Sequence, residues 1–264
     1  GEIDFGGTTL PLDTAIDALL RGEHFVAIGD GSFAMLPEEW LRSWGNALLL
    51  GEKTEDGVRM RSSQAMLLDA LLSTHTETTT KLDKKFQQLR SRIASADHQA
   101  ELPEPPGFTG TLRPYQRRGL GWLHFLRDTG LGGCLADDMG LGKTIQVLAL
   151  LLTVHRERPG RPSLLVLPLS LLANWRREAE RFTPELRVFD FHGGDRWSRL
   201  EDSGGFDAHD LILTTYGTLR LDIARFDQQQ TRFAYAVLDE AHAIENAQSQ
   251  TSKAVRLLRA DHRL

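Results

Sequence analysis

The sequence predicts an α/β fold over residues ~109–264, a parallel sheet with helices on both faces, preceded by a small α+β region. Three observations predict it. Residues 131–146, LGGCLADDMGLGKTIQ, pass from a short apolar run through a glycine-rich loop into an amphipathic segment, which reads as strand, loop, helix. Short apolar runs then alternate with helical patterns to the end of the chain. Residues 100–111, AELPEPPGFTGT, hold three prolines and two glycines and mark a stiff boundary. The expected division is therefore an accessory α+β domain over 1–100, a proline-rich linker over 101–111 and the α/β lobe over 112–264.

In chain order, residues 13–21 read as a short helix, and 24–37 as a hairpin about the pair Asp30-Gly31, which suits a tight turn with positive φ. Pro37 opens a helix over 37–45 with Trp40 and Trp44 on one face, a packing arrangement. Ser62 or Ser63 caps a helix over 64–73, and 81–94 forms another whose charges make a solvated face. Beyond the boundary, a helix over 112–130 leads to a strand over 132–137 and the glycine-rich loop. A helix over 144–158 follows, then a strand over 163–168 and a helix over 170–182. Strands over 186–191 and 210–216, a short helix over 217–226, a strand over 233–242 and a last helix over 246–260 complete the pattern.

Composition narrows the function. Net charge is −5, but residues 1–108 carry 10 basic and 17 acidic side chains (−7) and residues 109–264 carry 21 and 19 (+2). An acidic first part is a poor grip for nucleic acid, whereas the second can offer local basic patches. No apolar run approaches the ~20 residues of a membrane span. The first residues lack the basic start and apolar core of a secretory leader. The single Cys134 has no internal partner and falls in a predicted buried strand, so it reads as a small core hydrophobe. A cytoplasmic protein without membrane contact is the expectation.

The glycine-rich loop carries the first chemistry. Glycines let backbone N–H groups approach a phosphate chain, the helix N-terminus adds partial positive charge, Lys143 adds a full one and Thr144 offers a hydroxyl to Mg²⁺. Lys143 and Lys253 are the only lysines among the 21 basic residues from Thr109 onward, so a compact ammonium at this position is a choice. Asp137 stands where the general phosphate-loop pattern has its first glycine. The second chemistry lies 96 residues on (239 − 143), where strand YAVL runs into Asp239, Glu240, Ala241 and His242. One carboxylate suits Mg²⁺ and the other can orient or deprotonate an attacking water, as nucleotide hydrolysis requires.

With these segments in place the chain resembles the first motor lobe of a Swi/Snf-type ATPase of helicase superfamily 2, bacterial branch. LRPYQRRGLGWL, LADDMGLGKT, LLVLPLSLLANWRREAERF, DLILTTYGTLRLD and YAVLDEAHAIEN carry the resemblance in the family's order across residues 109–264. It accounts for Asp137 as a family habit. DGSFAMLPEEW resembles, more weakly, the region upstream of the motor in bacterial members.

The resemblance implies a RecA-like lobe with ATP and Mg²⁺ as cofactors and double-stranded DNA as partner. It places Gln116 on adenine, Gly140, Leu141, Gly142, Lys143 and Thr144 on the phosphates, and Thr144 and Asp239 on Mg²⁺. Glu240 becomes the catalytic carboxylate and His242 the residue that couples hydrolysis to movement. Pro168, Leu169, Ser170, His192, Gly193, Thr214, Thr215 and Tyr216 fall along a sequence-neutral nucleic-acid path. For Ser170, Thr214 and Thr215 helix capping or loop hydrogen bonding is the alternative. Trp122 and Trp175 read as lobe core rather than base-stacking platforms.

The resemblance also implies a further strand with a Thr-Gly-Thr-Pro-like segment and a second lobe supplying arginines, neither of which is read after Asn246. The expected activity is that of one lobe of an ATP-dependent duplex-DNA translocase that remodels DNA–protein complexes. Alone it would bind ATP weakly and hydrolyse little. A strand-separating DNA or RNA helicase is the alternative. For residues 1–100 a protein-interaction or autoinhibitory module is a further one.

Overall fold

The structure is a computed structural model that describes residues 2–4, 9–21, 23, 25–27, 33–36, 52–54, 57–59, 64, 84–95, 100–138 and 140–264. The chain divides into two compact units, Gly1–Ala96 and Asp97–Leu264.

In the first unit, β1 (Glu2–Asp4) pairs antiparallel with β2 (Thr9–Pro11), and α1 (Leu12–Arg21) follows directly. The hairpin strands form as β3 (Phe25–Ala27) and β4 (Phe33–Met35), with Val26 opposite Ala34. Leu10, Ala15, Ala18, Val26 and Leu36 make a small core. A second short hairpin, β5 (Glu52–Thr54) with β6 (Gly57–Arg59), was not foreseen, whereas α2 (Lys84–Ser95) was. The Asp30-Gly31 turn, the helix with Trp40 and Trp44, and the capping serines lie outside the described residues, as does the helix over 64–73 apart from Gln64.

The second unit is a five-stranded all-parallel sheet in the order β11-β10-β7-β9-β8. Its strands are β7 (Ser163–Leu167), β8 (Val188–Asp190), β9 (Leu211–Thr215), β10 (Arg232–Leu238) and β11 (Arg259–Arg263). Its helices are α3 (Pro114–Thr129), α4 (Lys143–Glu157), α5 (Leu172–Phe182), α6 (Arg196–Asp202), α7 (Tyr216–Gln228) and α8 (Gln250–Leu257). Every residue of β7 and β9 is buried, as strands covered on both faces require. Leu165, Leu167, Leu211 and Leu213 pack with α3, α4 and α5 residues such as Leu123, Leu148 and Trp175. Leu164, Val166 and Ile212 face the opposite way, toward Leu219 and Phe226 of α7 and Val255 of α8. The parallel α/β fold is thus the one observed. Among the described residues no helix is long and apolar enough to cross a membrane.

Three expectations are corrected. Residues 132–137 form no strand, and Cys134 is exposed rather than buried. The segment runs beside the end of β11, Gly132 lying near the Arg263 carbonyl, but two adjacent glycines offer no side chains to hold a ladder. The last helix ends at Leu257, and Arg259–Arg263 is instead the edge strand β11, its ladder extended by Leu264 N–H to the Ala236 carbonyl (3.0 Å). Helix α6, between β8 and β9, was missed.

The stretch 101–111, expected as a linker, is clamped to the second unit. Glu104 accepts three hydrogen bonds from the Arg117 guanidinium, two at 3.0 Å and one at 3.4 Å, and one from the Leu112 N–H at 2.5 Å. Thr109 N–H donates to the Phe182 carbonyl (2.7 Å), and Phe108 stacks on the Phe182 ring at 5.9 Å. Gly121 lets this strap cross α3, because a Cβ there would overlap the Ala100 carbonyl oxygen. In an open helix Gly→Ala stabilises by roughly 0.5–1 kcal/mol. Here the sign inverts, and Gly121→Ala is expected to destabilise by about 1–3 kcal/mol, the range for overpacking. Urea unfolding of the variant reads this directly; a raised midpoint would show that the strap does not lie on the helix.

Candidate active site

The sheet reverses its winding at β7, which lies between β9 and β10, and crevices outside the C-terminal strand ends at such points are where ligands dock in open α/β sheets. The ends of β7, β8, β9 and β10 and the loops after them carry the sequence-selected residues from Pro168 onward, whereas Gly140–Thr144 lie at the start of α4 and Gln116 on α3.

The phosphate loop ends in two left-handed glycines, Gly140 (φ +84°) and Gly142 (φ +77°). Gly142 is the N-cap of α4 and no side chain caps that helix, so its first N–H groups are an open anion site. A Cβ on Gly142 would lie 2.5 Å from Gln116 Nε2. Gln116, buried at 4% exposure, donates Nε2–H to the Leu141 carbonyl (2.9 Å) and accepts the Arg113 N–H at Oε1 (2.9 Å). It therefore ties the start of α3 to the loop, and with a second donation from Nε2 to the Tyr115 hydroxyl (3.4 Å) one acceptor lone pair on Oε1 is left over. The Tyr115 hydroxyl supports the same carbonyl at 3.1 Å. Lys143 Nζ donates to the carbonyls of Asp137 (2.6 Å) and Asp138 (3.2 Å). Gln146, fully buried, donates to Asp137 Oδ2 (3.2 Å) and the Gly142 carbonyl (3.3 Å). Thr144 is half-buried in the first turn of α4. A groove of about 660 Å³ opens between α3 and this loop, lined by Tyr115, Gly119, Trp122, Cys134, Asp137 and Leu141.

The carboxylates lie at the end of β10. Asp239 N–H donates to the Val166 carbonyl (2.9 Å), fixing the residue to β7. Its Oδ2 accepts the Trp175 indole N–H (2.7 Å) and its Oδ1 the Glu240 N–H (3.0 Å). Glu240 has φ +54° and ψ +56°, a left-handed backbone that a non-glycine residue holds at a cost of order 1–3 kcal/mol. This turns its carboxylate outward, with Oε2 at 3.3 Å from His242 Nδ1 and the imidazole largely exposed. The hydroxyl of Tyr216 donates to the Asp239 carbonyl (2.8 Å). Burial, and then the carboxylates of Asp239 and Glu240, push that hydroxyl's pKa well above its ordinary value, so it stays a donor.

Among the described residues no cluster of three or more His, Cys, Asp or Glu could hold a metal by itself. Mg²⁺ in phosphate-transfer sites needs less, one or two protein oxygens with substrate phosphates and water completing the shell. The Asp239 carboxylate and the Thr144 hydroxyl are donors of that kind.

The residues selected for a nucleic-acid path are sorted by the structure. Leu169 and Ser170 are exposed on the 3₁₀ turn Leu169–Leu171, and Pro168 precedes them half-buried. Gly193 is exposed with φ +95°, and His192 is half-buried beside it. Thr214 is fully buried, its hydroxyl donated to the Phe191 carbonyl (2.9 Å), so it links strands rather than facing a ligand. Thr215 is the N-cap of α7, accepting the Thr218 N–H at 3.1 Å. Tyr216 points its hydroxyl inward to Asp239. Sequence reasoning missed Trp175 as a carboxylate partner, although a buried indole N–H always needs an acceptor. It also missed Arg196 and Arg199, whose guanidiniums donate to the Gly193 carbonyl (2.6 Å) and the His192 carbonyl.

A parallel sheet with a glycine-rich loop entering α4 and an Asp-Glu pair closing β10 defines a nucleotide-binding RecA-like lobe. Residues 115–264 match the SNF2-related domain, and the chain belongs to that family. It is 40% identical to YwqA of Bacillus subtilis over 185 residues, 69% of this chain and 20% of that protein. It is 34% identical to MG018 of Mycoplasma genitalium, named an ATP-dependent helicase, over 98% of this chain and 25% of that protein. The Sulfolobus solfataricus SWI2/SNF2 ATPase core, solved in complex with dsDNA, superposes with a TM-score of 0.55 at 40% identity, covering 62% of this chain and 33% of that one. The chain thus spans a fifth to a quarter of the length of these two relatives.

Proposed function

We propose that this lobe binds Mg-ATP and, completed by a second lobe, hydrolyses it to drive movement along double-stranded DNA and remodel DNA–protein complexes. The observation that carries the reading is that one lobe holds both an uncapped α4 N-terminus with Lys143 and, at the end of β10, the Asp239-Glu240 pair, with exposed turns at 168–170 and 192–193 after β7 and β8. Lys143 and the loop N–H groups neutralise phosphate charge, and Gln116 offers its remaining Oε1 lone pair to the base. Asp239 and Thr144 hold Mg²⁺, which lowers the charge on the transferring phosphoryl group. Glu240 accepts the proton of the attacking water, and His242 beside it senses the change. Ser170, Gly193 and neighbouring backbone groups meet phosphates without reading sequence.

The test has two arms. The 264-residue chain should bind a fluorescent ATP analogue in a Mg²⁺-dependent way. The two-lobed protein should show ATP turnover stimulated by duplex DNA, and displacement of a DNA-bound block without strand separation. Stimulation by single-stranded RNA alone, or duplex unwinding, would replace the reading by the helicase alternative.

A further inference from the structure

Both candidate DNA-facing turns lead to Asp239, one through Trp175 and the other through several linked side chains ending at Tyr216. The turn at Leu169–Leu171 runs straight into α5, and Trp175, in the first turn of that helix, donates its indole N–H to Asp239 Oδ2 at 2.7 Å. The end of β9 runs straight into α7, and Tyr216, the first residue of that helix, donates its hydroxyl to the Asp239 carbonyl at 2.8 Å. The second connection continues outward. The Thr215 hydroxyl caps α7 and pairs with the Thr218 hydroxyl at 2.9 Å. Thr218 Oγ1 in turn lies 3.3 Å from His192 Nδ1. Hydrogen bonds therefore run from the His192–Gly193 turn through Thr218 to Thr215, the backbone carries the link to the adjacent Tyr216, and its hydroxyl reaches Asp239. Trp175 and Thr218 are buried, so water does not readily replace a lost partner.

We propose that Trp175 and Tyr216 are positioning residues that make the placement of Asp239, and so of its Mg²⁺, depend on what occupies the turns at 168–170 and 192–193. The inference rests on the ATPase reading above and adds the route by which duplex DNA accelerates hydrolysis within this lobe. Tyr216 sets the backbone of the residue before Glu240. Trp175 sets the rotamer of the carboxylate, leaving its remaining lone pairs for the metal's water shell.

The test uses the two-lobed protein with Trp175→Phe, Tyr216→Phe and Thr218→Val, the last interrupting these hydrogen bonds without touching Asp239. Losing one such hydrogen bond is expected to lower DNA-saturated kcat by about three- to tenfold in Tyr216→Phe and Thr218→Val, with ATP KM and DNA Kd within about twofold. Trp175→Phe should raise the Mg²⁺ concentration for half-maximal rate by a similar factor, and excess Mg²⁺ should restore the rate. A Tyr216→Phe variant that loses DNA affinity instead of kcat would make Tyr216 a contact and overturn the proposal. Unchanged DNA stimulation in both Tyr216→Phe and Thr218→Val would also overturn it, as would an unchanged Mg²⁺ dependence in Trp175→Phe. A wild-type protein without DNA-stimulated turnover would overturn the ATPase reading itself.

Discussion

Glu240→Gln is expected to lower ATP turnover in the two-lobed protein by roughly 10²–10⁴, the contribution of a positioned general base, while nucleotide affinity moves less than about threefold. Glutamine keeps the length and planarity of the side chain but cannot take the proton of water at neutral pH. The peptide N–H of residue 240, which donates to Asp239 Oδ1 at 3.0 Å, is retained, so the metal carboxylate keeps its orientation. Glu240→Gly separates chemistry from strain. Glycine accepts φ +54° without penalty, so that variant should be more stable by roughly 1 kcal/mol and equally inactive. A site in which removing the functional side chain raises stability is one where the backbone is held for function. Turnover of Glu240→Gln within tenfold of wild type would give the base role to another group. Stopped-flow kinetics with and without DNA, beside analogue binding, measures both parts.

The residues of the candidate site stand out in the sequence because phosphate chemistry asks for particular residue types. Lys143, the αL glycines and the Asp239-Glu240 pair each answer a requirement that few other side chains meet, and short apolar runs marked β7, β9 and β10 because those strands are buried on both faces. The edge of the same sheet was not legible. Strand β11 reads RADHR, a polar run that suits a helix surface. It is tolerated because Asp261 accepts from Arg232 (2.7 Å) and Arg161 (2.8 Å), and His262 stacks on Tyr235 at 5.0 Å. These partners are 29 and 100 residues away from Asp261 in the chain, so no local pattern shows them. The proline-rich stretch misled for the same reason. Its composition is that of a spacer, and its attachment depends on Glu104 meeting Arg117 and on Gly121 having no side chain. Thr214 and Tyr216 sit in a motif that resembles a backbone-binding segment, yet strand alternation and the first turn of α7 direct their hydroxyls inward.

Lys143 carries the second large effect, and its ammonium is held by the backbone of the loop. It closes the loop on itself through the Asp137 and Asp138 carbonyls at 2.6 and 3.2 Å. A phosphate must compete with two neutral acceptors, which an anion does readily, since charge-assisted hydrogen bonds are about twice as strong. Lys143→Ala should weaken Mg-ATP analogue binding to the 264-residue chain by about 10- to 100-fold, the loss of one or two hydrogen bonds to a charged group at ~1.5–3 kcal/mol. Of the two freed carbonyls that of Asp138 is exposed and that of Asp137 part-buried, so unfolding stability should fall by about 1 kcal/mol. Lys143→Arg separates charge from shape. The guanidinium keeps the charge but is planar and longer, and the loop that Gln116 and Gln146 pin through Leu141 and Gly142 cannot widen to admit it. Arginine should therefore bind nucleotide nearly as poorly as alanine. Affinity of Lys143→Arg within threefold of wild type would mean that charge alone suffices and that the pinned loop does not select the ammonium.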